Sequence, residues 1–130
     1  MMQRMFSIGP HFTPLERAVL SAICEMHPRD RGSLEAQFST ATFRKRDNTG
    51  AGFFTYFDVG RDGIAPVGGK RLRNGPDAKI EGLEHGMGFI LWLGEGYVDC
   101  LEGHCYAADS TAQIPLETVG FEIIGSQEIS

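Results

Sequence analysis

The chain has 130 residues, 42% of them apolar and 22% charged, with a formal net charge of −5, the balance of one ordinary globular domain and not of a disordered chain. A chain of this length hides roughly two-thirds of the surface its unfolded form exposes, so a single domain over residues 1–130 needs no staples. All 12 Lys and Arg lie before residue 81, while the remainder carries nine acids and no Lys or Arg, a half that cannot grip phosphates by ion pairing and argues against nucleic-acid binding.

The longest apolar run, Phe89 to Leu93, is far short of the roughly 20 residues a membrane span needs. The start, Met1-Met2-Gln3-Arg4-Met5-Phe6, lacks the apolar stretch of a signal peptide. Three cysteines, Cys24, Cys100 and Cys105, without a CxxC pair fit neither a disulfide framework nor a zinc ribbon. These features predict a soluble, cytoplasmic protein with reduced thiols and no membrane partner.

Thr13-Pro14-Leu15-Glu16 has the form of a capping box with proline at the first helical position. Leu15, Ala18, Val19, Ala22, Ile23 and Met26 then recur at helical spacing, and His27-Pro28 closes the helix, predicted over 13–27. Leu20 and Cys24 fall outside that stripe, as a ridge for a second element or a second subunit. Ser33 is placed to cap a short helix over Leu34 to Phe38.

The period then changes to two. Ala41 to Arg46 and Gly52 to Val59 read as strands around the turn Asp47-Asn48-Thr49-Gly50. Phe53, Phe57 and Val59 point to one side, Phe54 and Tyr56 to the other, the pattern of an interior strand. Gly60 to Asp77, with five glycines and two prolines, reads as a long irregular segment, followed by strand structure around Ala78 to Leu83. Gly88 to Leu93 and Tyr97 to Glu102 flank Glu95-Gly96 as a hairpin, with Leu93 facing Val98, Leu91 facing Cys100 and Phe89 facing Glu102. A less regular stretch, Ala107 to Gly120, leads to a last strand at Phe121 to Ile124. The fold class is therefore α+β: a mainly antiparallel sheet with an amino-terminal helix, plus a short second one, packed on one face.

The reactive side chains concentrate in Asp99-Cys100-Leu101-Glu102-Gly103-His104-Cys105-Tyr106. Cys100, His104, Cys105 and His85 are soft ligands, but Cys100 and His104 stand about 13 Å apart on a strand rising 3.3 Å per residue, so no metal or cofactor is expected. No cysteine sits at a helix start that would activate it. Glu102, in the register above, falls among Phe89, Leu91 and Cys100, where a carboxylate needs a partner such as Arg44 or Arg46. With His104 and Tyr106 it forms the one candidate site, a pocket for a ligand or for hydrolase-like chemistry. Glu81-Gly82-Leu83-Glu84-His85-Gly86 reads as a turn.

At Thr49-Gly50-Ala51-Gly52-Phe53-Phe54 and Leu101-Glu102-Gly103-His104-Cys105-Tyr106 the chain resembles a family of small uncharacterised bacterial proteins, a domain of unknown function. Its TG-x-GFF strand and LEG-x-x-Y hairpin end match, as does the linker Glu81 to Gly86. The resemblance spans most of residues 13 to 106 and implies no activity. With no complete catalytic constellation, the chain reads as a non-catalytic interaction or regulatory domain, such as a toxin-neutralising partner. A homodimer is expected from Leu20, Cys24 and the uneven charge, and a basic protein is expected as a further partner.

Overall fold

A computed structural model describes residues 8–125; the Met1–Phe6 start read above lies outside them. Helix α1 (Pro14–Met26) starts as its sequence dictates. The Thr13 hydroxyl accepts from the Glu16 N–H at 3.0 Å, and Glu16 Oε1 accepts from the Thr13 N–H at 2.8 Å, so two end donors are satisfied reciprocally. Its stripe of Leu15, Val19 and Ile23 is no more than 1% exposed.

Leu20 and Cys24 are equally buried, at 0% and 1%. Helix α2 (Arg31–Phe38) packs against α1 and brings Glu35 and Arg31 beside Cys24. Of the two expected roles for this ridge, contact with a second element is the one observed, with α2 covering it within the chain, so it gives no ground for a dimer. Helix α2 also starts three residues before the expected Leu34. The Asp30 carbonyl accepts from the Leu34 N–H at 2.8 Å, while the Asp30 carboxylate turns away from the helix end to Arg73 Nε at 2.9 Å. Ser33 lies inside the helix and is not its cap.

Among the described residues six strands form one antiparallel sheet: β1 (Thr42–Asn48), β2 (Gly52–Asp58), β3 (Leu72–Ile80), β4 (Met87–Gly94), β5 (Tyr97–Cys105) and β6 (Phe121–Gly125), in the order β1-β2-β5-β4-β3-β6. Both helices lie on one face, α1 over β3 and β6 and α2 over β5. Phe53 and Phe57 of β2, Phe89 and Leu91 of β4 and Leu101 of β5 meet them there. The architecture is the expected α+β one.

The order places strands from the acidic half between strands from the basic half. Lys79 of β3 lies opposite Glu122 of β6, and Arg61 Nη1 reaches Glu95 Oε1 at 3.0 Å, so opposite charges from the two halves become neighbours within the chain.

Strand β3 occupies residues read as irregular. A register shift between Asn74 and Asp77 holds Gly75-Pro76, and such a bulge erases the alternation that announces a strand. The glycine allows a close approach: a Cβ there would stand 3.2 Å from the Ile23 side chain and 3.0 Å from the Phe89 carbonyl, tight enough that these neighbours would have to shift by a few tenths of an ångström. Buried Gln37 pins the preceding loop. Its Nε2 donates to Ala65 O at 3.1 Å and Gly96 O at 3.0 Å, and its Oε1 accepts from Val98 N at 2.8 Å. Among the described residues no helix is long and apolar enough to cross a membrane.

Candidate functional site

The β4–β5 hairpin decides where the candidate residues point. Glu95 and Gly96 both have positive φ, at 56° and 87°, the tight-turn geometry that matches strand twist. Leu93 faces Val98 as expected, but Trp92 then faces Cys100, so Asp99 is an extra residue on β5. Beyond this bulge Leu91 faces Leu101, Ile90 faces Glu102 and Phe89 faces Gly103. A shift of one residue sends every later side chain to the opposite face. Glu102 therefore leaves the core and stands on the face away from the helices.

The buried carboxylate of this protein is Glu16 instead, with no exposed surface. Arg46 donates to it through Nε at 2.6 Å and Nη2 at 2.9 Å, and the Thr55 hydroxyl donates as well. Arg44 pairs with Asp58 at 3.2 Å. Neither arginine reaches Glu102. The capping box fixed the Glu16 carboxylate at the helix start, but no local pattern named Arg46 as its partner.

The open face has three cross-strand rows. Tyr56, Cys100, Trp92 and Leu72 make the first; Phe54, Glu102, Ile90 and Asn74 the second; Gly52, His104, Gly88 and Asp77 the third. Phe54, Tyr56, Leu72, Ile90 and Trp92 are each partly covered by their neighbours, and none belongs to the core cluster. Phe54 and Tyr56 stack with centroids 6.1 Å apart. Among the described residues no helix or strand lies over this face. Glu102 sits at its centre, with Oε1 accepting from the Trp92 indole N–H at 2.9 Å. Lys45 rests 5.3 Å from the Tyr56 ring centroid and 3.6 Å from Asp47.

At one end His104 and Tyr106 meet edge to face, with centroids 5.3 Å apart, and the Tyr106 hydroxyl donates to Asp77 Oδ1 at 2.6 Å. Strand β4 lies beneath, and Gly88 makes the space: a Cβ there would stand 2.2 Å from the Tyr106 hydroxyl and 2.8 Å from the His104 ring. Burial of the hydroxyl, then its bond to Asp77, pushes the Tyr106 phenol up to about 12, although the residue as a whole is 38% exposed. His104 and Tyr106 are thus brought together, with Asp77 as a third member hidden by the β3 bulge. Glu102 is two residues from His104 on the same face but turns to Trp92. Together with Ile90, this trio borders a small hollow of about 280 Å³.

A larger open groove of about 780 Å³ runs along the β3–β4 turn and β6. Glu84 and His85 of that turn meet Asp109, with their ligand atoms within 4.8 Å of one another. Asp109 Oδ2 accepts from the His85 backbone N–H at 2.7 Å and lies 3.5 Å from its Nδ1. One imidazole and two carboxylates are a donor set suited to a divalent ion. The turn was legible in the sequence; Asp109 comes from a different loop and was not. His85 therefore joins carboxylates, and not Cys100, His104 or Cys105.

The three thiols are free and none is activated. Burial pushes Cys24 and Cys100 up to about 12, the latter further raised by Asp99 and Glu102, and burial also raises Cys105. Thiolate chemistry at neutral pH has no support here.

Comparison with family models, curated proteins and solved structures finds no match to this chain.

Proposed function

We propose that the chain is a non-catalytic interaction domain of a bacterial, cytoplasmic protein, and that its open sheet face is the binding surface. One observation carries this reading: Phe54, Tyr56, Leu72, Ile90 and Trp92 stand together on a face that, among the described residues, no helix or strand covers. Clustered aromatic and aliphatic side chains left at a surface mark interaction sites, with Trp and Tyr the usual anchors. The unactivated thiols favour a binding role over a catalytic one. The bacterial setting rests on the TG-x-GFF and LEG-x-x-Y motifs, and the cytoplasmic one on the unpaired cysteines.

Two occupants were expected, a second copy and a basic protein. A second copy stacked about an axis near β5 would bring one Glu102 towards the other, like charges in a desolvated interface. A basic partner offers that carboxylate a counter-charge instead, and is the favoured occupant. A second reading, a small-ligand site at Glu102, His104 and Tyr106, draws on the hollow beside His104 and Tyr106.

The test compares immobilised wild-type chain with a Phe54→Ser/Trp92→Ser variant and a Glu81→Gln/Glu122→Gln control in the same extract. A protein retained by wild type and control but lost from the face variant supports the reading. Identical retention by all three removes the face as the binding surface. Sedimentation at tens of micromolar decides between monomer and homodimer.

A further inference from the structure

We infer that Glu102 and the rings around it form a receptor for a single cationic side chain, an arginine presented by the partner protein. This rests on the interaction-domain reading and names the chemistry of its occupant. The carboxylate has a fixed setting. Phe54 lies directly across on β2 and Ile90 directly across on β4, while Tyr56 and Trp92 flank the Cys100 position two residues along β5. One oxygen is oriented by the Trp92 indole N–H at 2.9 Å. Among the described residues Glu102 makes no ion pair, because Arg44 is engaged by Asp58, Arg46 by Glu16 and Lys45 by Asp47.

A carboxylate set among aromatic rings is complementary to a planar cation. A guanidinium donates a fork of N–H groups to the oxygens while its plane stacks on a ring. A neutral partner would leave the carboxylate desolvated with only the indole N–H to compensate it. The same face already holds a cation in this manner: Lys45 lies over the Tyr56 ring with Asp47 as its counter-charge. At Glu102 the rings and the carboxylate are present, and among the described residues no cation pairs with it. Arginine is favoured over lysine because ring stacking and a bidentate bond are both available to it.

The chain has a single tryptophan, so the Trp92 indole N–H gives one unambiguous NMR resonance, attached to the proposed site. Isotope-labelled protein is titrated over the millimolar range with Nα-acetyl-arginine amide, and in parallel with the uncharged isostere Nα-acetyl-citrulline amide. The expected result is a saturable shift of the indole resonance with the arginine probe alone. Glu102→Gln keeps an acceptor for the indole but loses the charge, and should weaken binding about tenfold, the scale of a lost charge-assisted bond. Glu122→Gln, on β6, should leave binding unchanged. An equal shift with citrulline, no saturable shift with arginine, or undiminished binding in Glu102→Gln would each overturn the inference. So would an indole resonance that moves with protein concentration alone, alongside a dimer by sedimentation, because a second copy would then occupy the face. The capture comparison on the Phe54/Trp92 variant is read separately, so failure here leaves that reading to its own test.

Discussion

Glu16 and Arg46, 30 residues apart in the chain, meet as a carboxylate and a two-pronged guanidinium at 2.6 and 2.9 Å, with Glu16 wholly removed from solvent. The same carboxylate caps α1 and receives Thr55 from β2, so helix start, edge strand and inner strand converge on one charged group. Arg46→Leu leaves a buried carboxylate without its cation and should cost about 3–5 kcal/mol. Urea denaturation checks this; a loss under about 1 kcal/mol would show that water or another group replaces the guanidinium.

Ile23 is fully buried on α1 and abuts Gly75 at the β3 bulge. Ile23→Ala should destabilise the fold by about 2–5 kcal/mol, the range for large-to-small core changes. The equilibrium midpoint in denaturant reads it directly. A change under about 0.5 kcal/mol would mean that the helix face contributes little to the core.

Gly88 and Gly52 flank His104 on β4 and β2, and their substitutions should behave differently. At Gly88 a Cβ meets the ends of two side chains, Tyr106 and His104, which can swing aside. Gly88→Ala should therefore release Tyr106 from Asp77 and lower stability by about 1 kcal/mol, the worth of one hydrogen bond. At Gly52 a Cβ would lie 2.0 Å from the Gly103 carbonyl oxygen, with φ at +150°, so backbone must move. Gly52→Ala should cost more than about 2 kcal/mol by forcing β2 and β5 apart. Denaturation of the two variants side by side gives the ranking, and a reversed order would contradict it.

Cys24 and Cys100 combine burial with thiols pushed up to about 12, so at pH 8 both stay protonated and unreactive. Cys105 is less buried and packs at the core margin. Native protein treated with iodoacetamide should be modified first at Cys105, with Cys24 and Cys100 reacting only on unfolding. Peptide mapping reads the order; early labelling of Cys100 would show that the open face parts more readily than its packing implies.

Tyr106 holds its proton more tightly in the folded chain, at about 12, because burial and then Asp77 oppose the phenolate. Its contribution to stability is therefore complete below the ordinary tyrosine value of about 10 and is lost as pH rises from there through about 12. Ultraviolet titration should show one phenol ionising late, and Tyr106→Phe should remove that step. A late step that persists in Tyr106→Phe would assign it to Tyr56 or Tyr97.

The sequence by itself determined the elements whose causes are local. The capping box, the proline at the helix start and the 3.6-residue stripe placed α1, and alternation around Glu95-Gly96 placed the hairpin. The α+β class followed from one helical period succeeded by strands. Tertiary structure decided where single residues break the period. The extra Asp99 turned Glu102 from the core to the open face, and Gly75-Pro76 concealed β3 and with it Asp77. Helix α2, and not a second subunit, covers Leu20 and Cys24. Arg46 found Glu16, and His85 found Asp109, across separations that no local pattern records. The reason is the same in each case: a period-two strand carries no memory of its face across a bulge, and pairing of distant charges is set by which strands become neighbours.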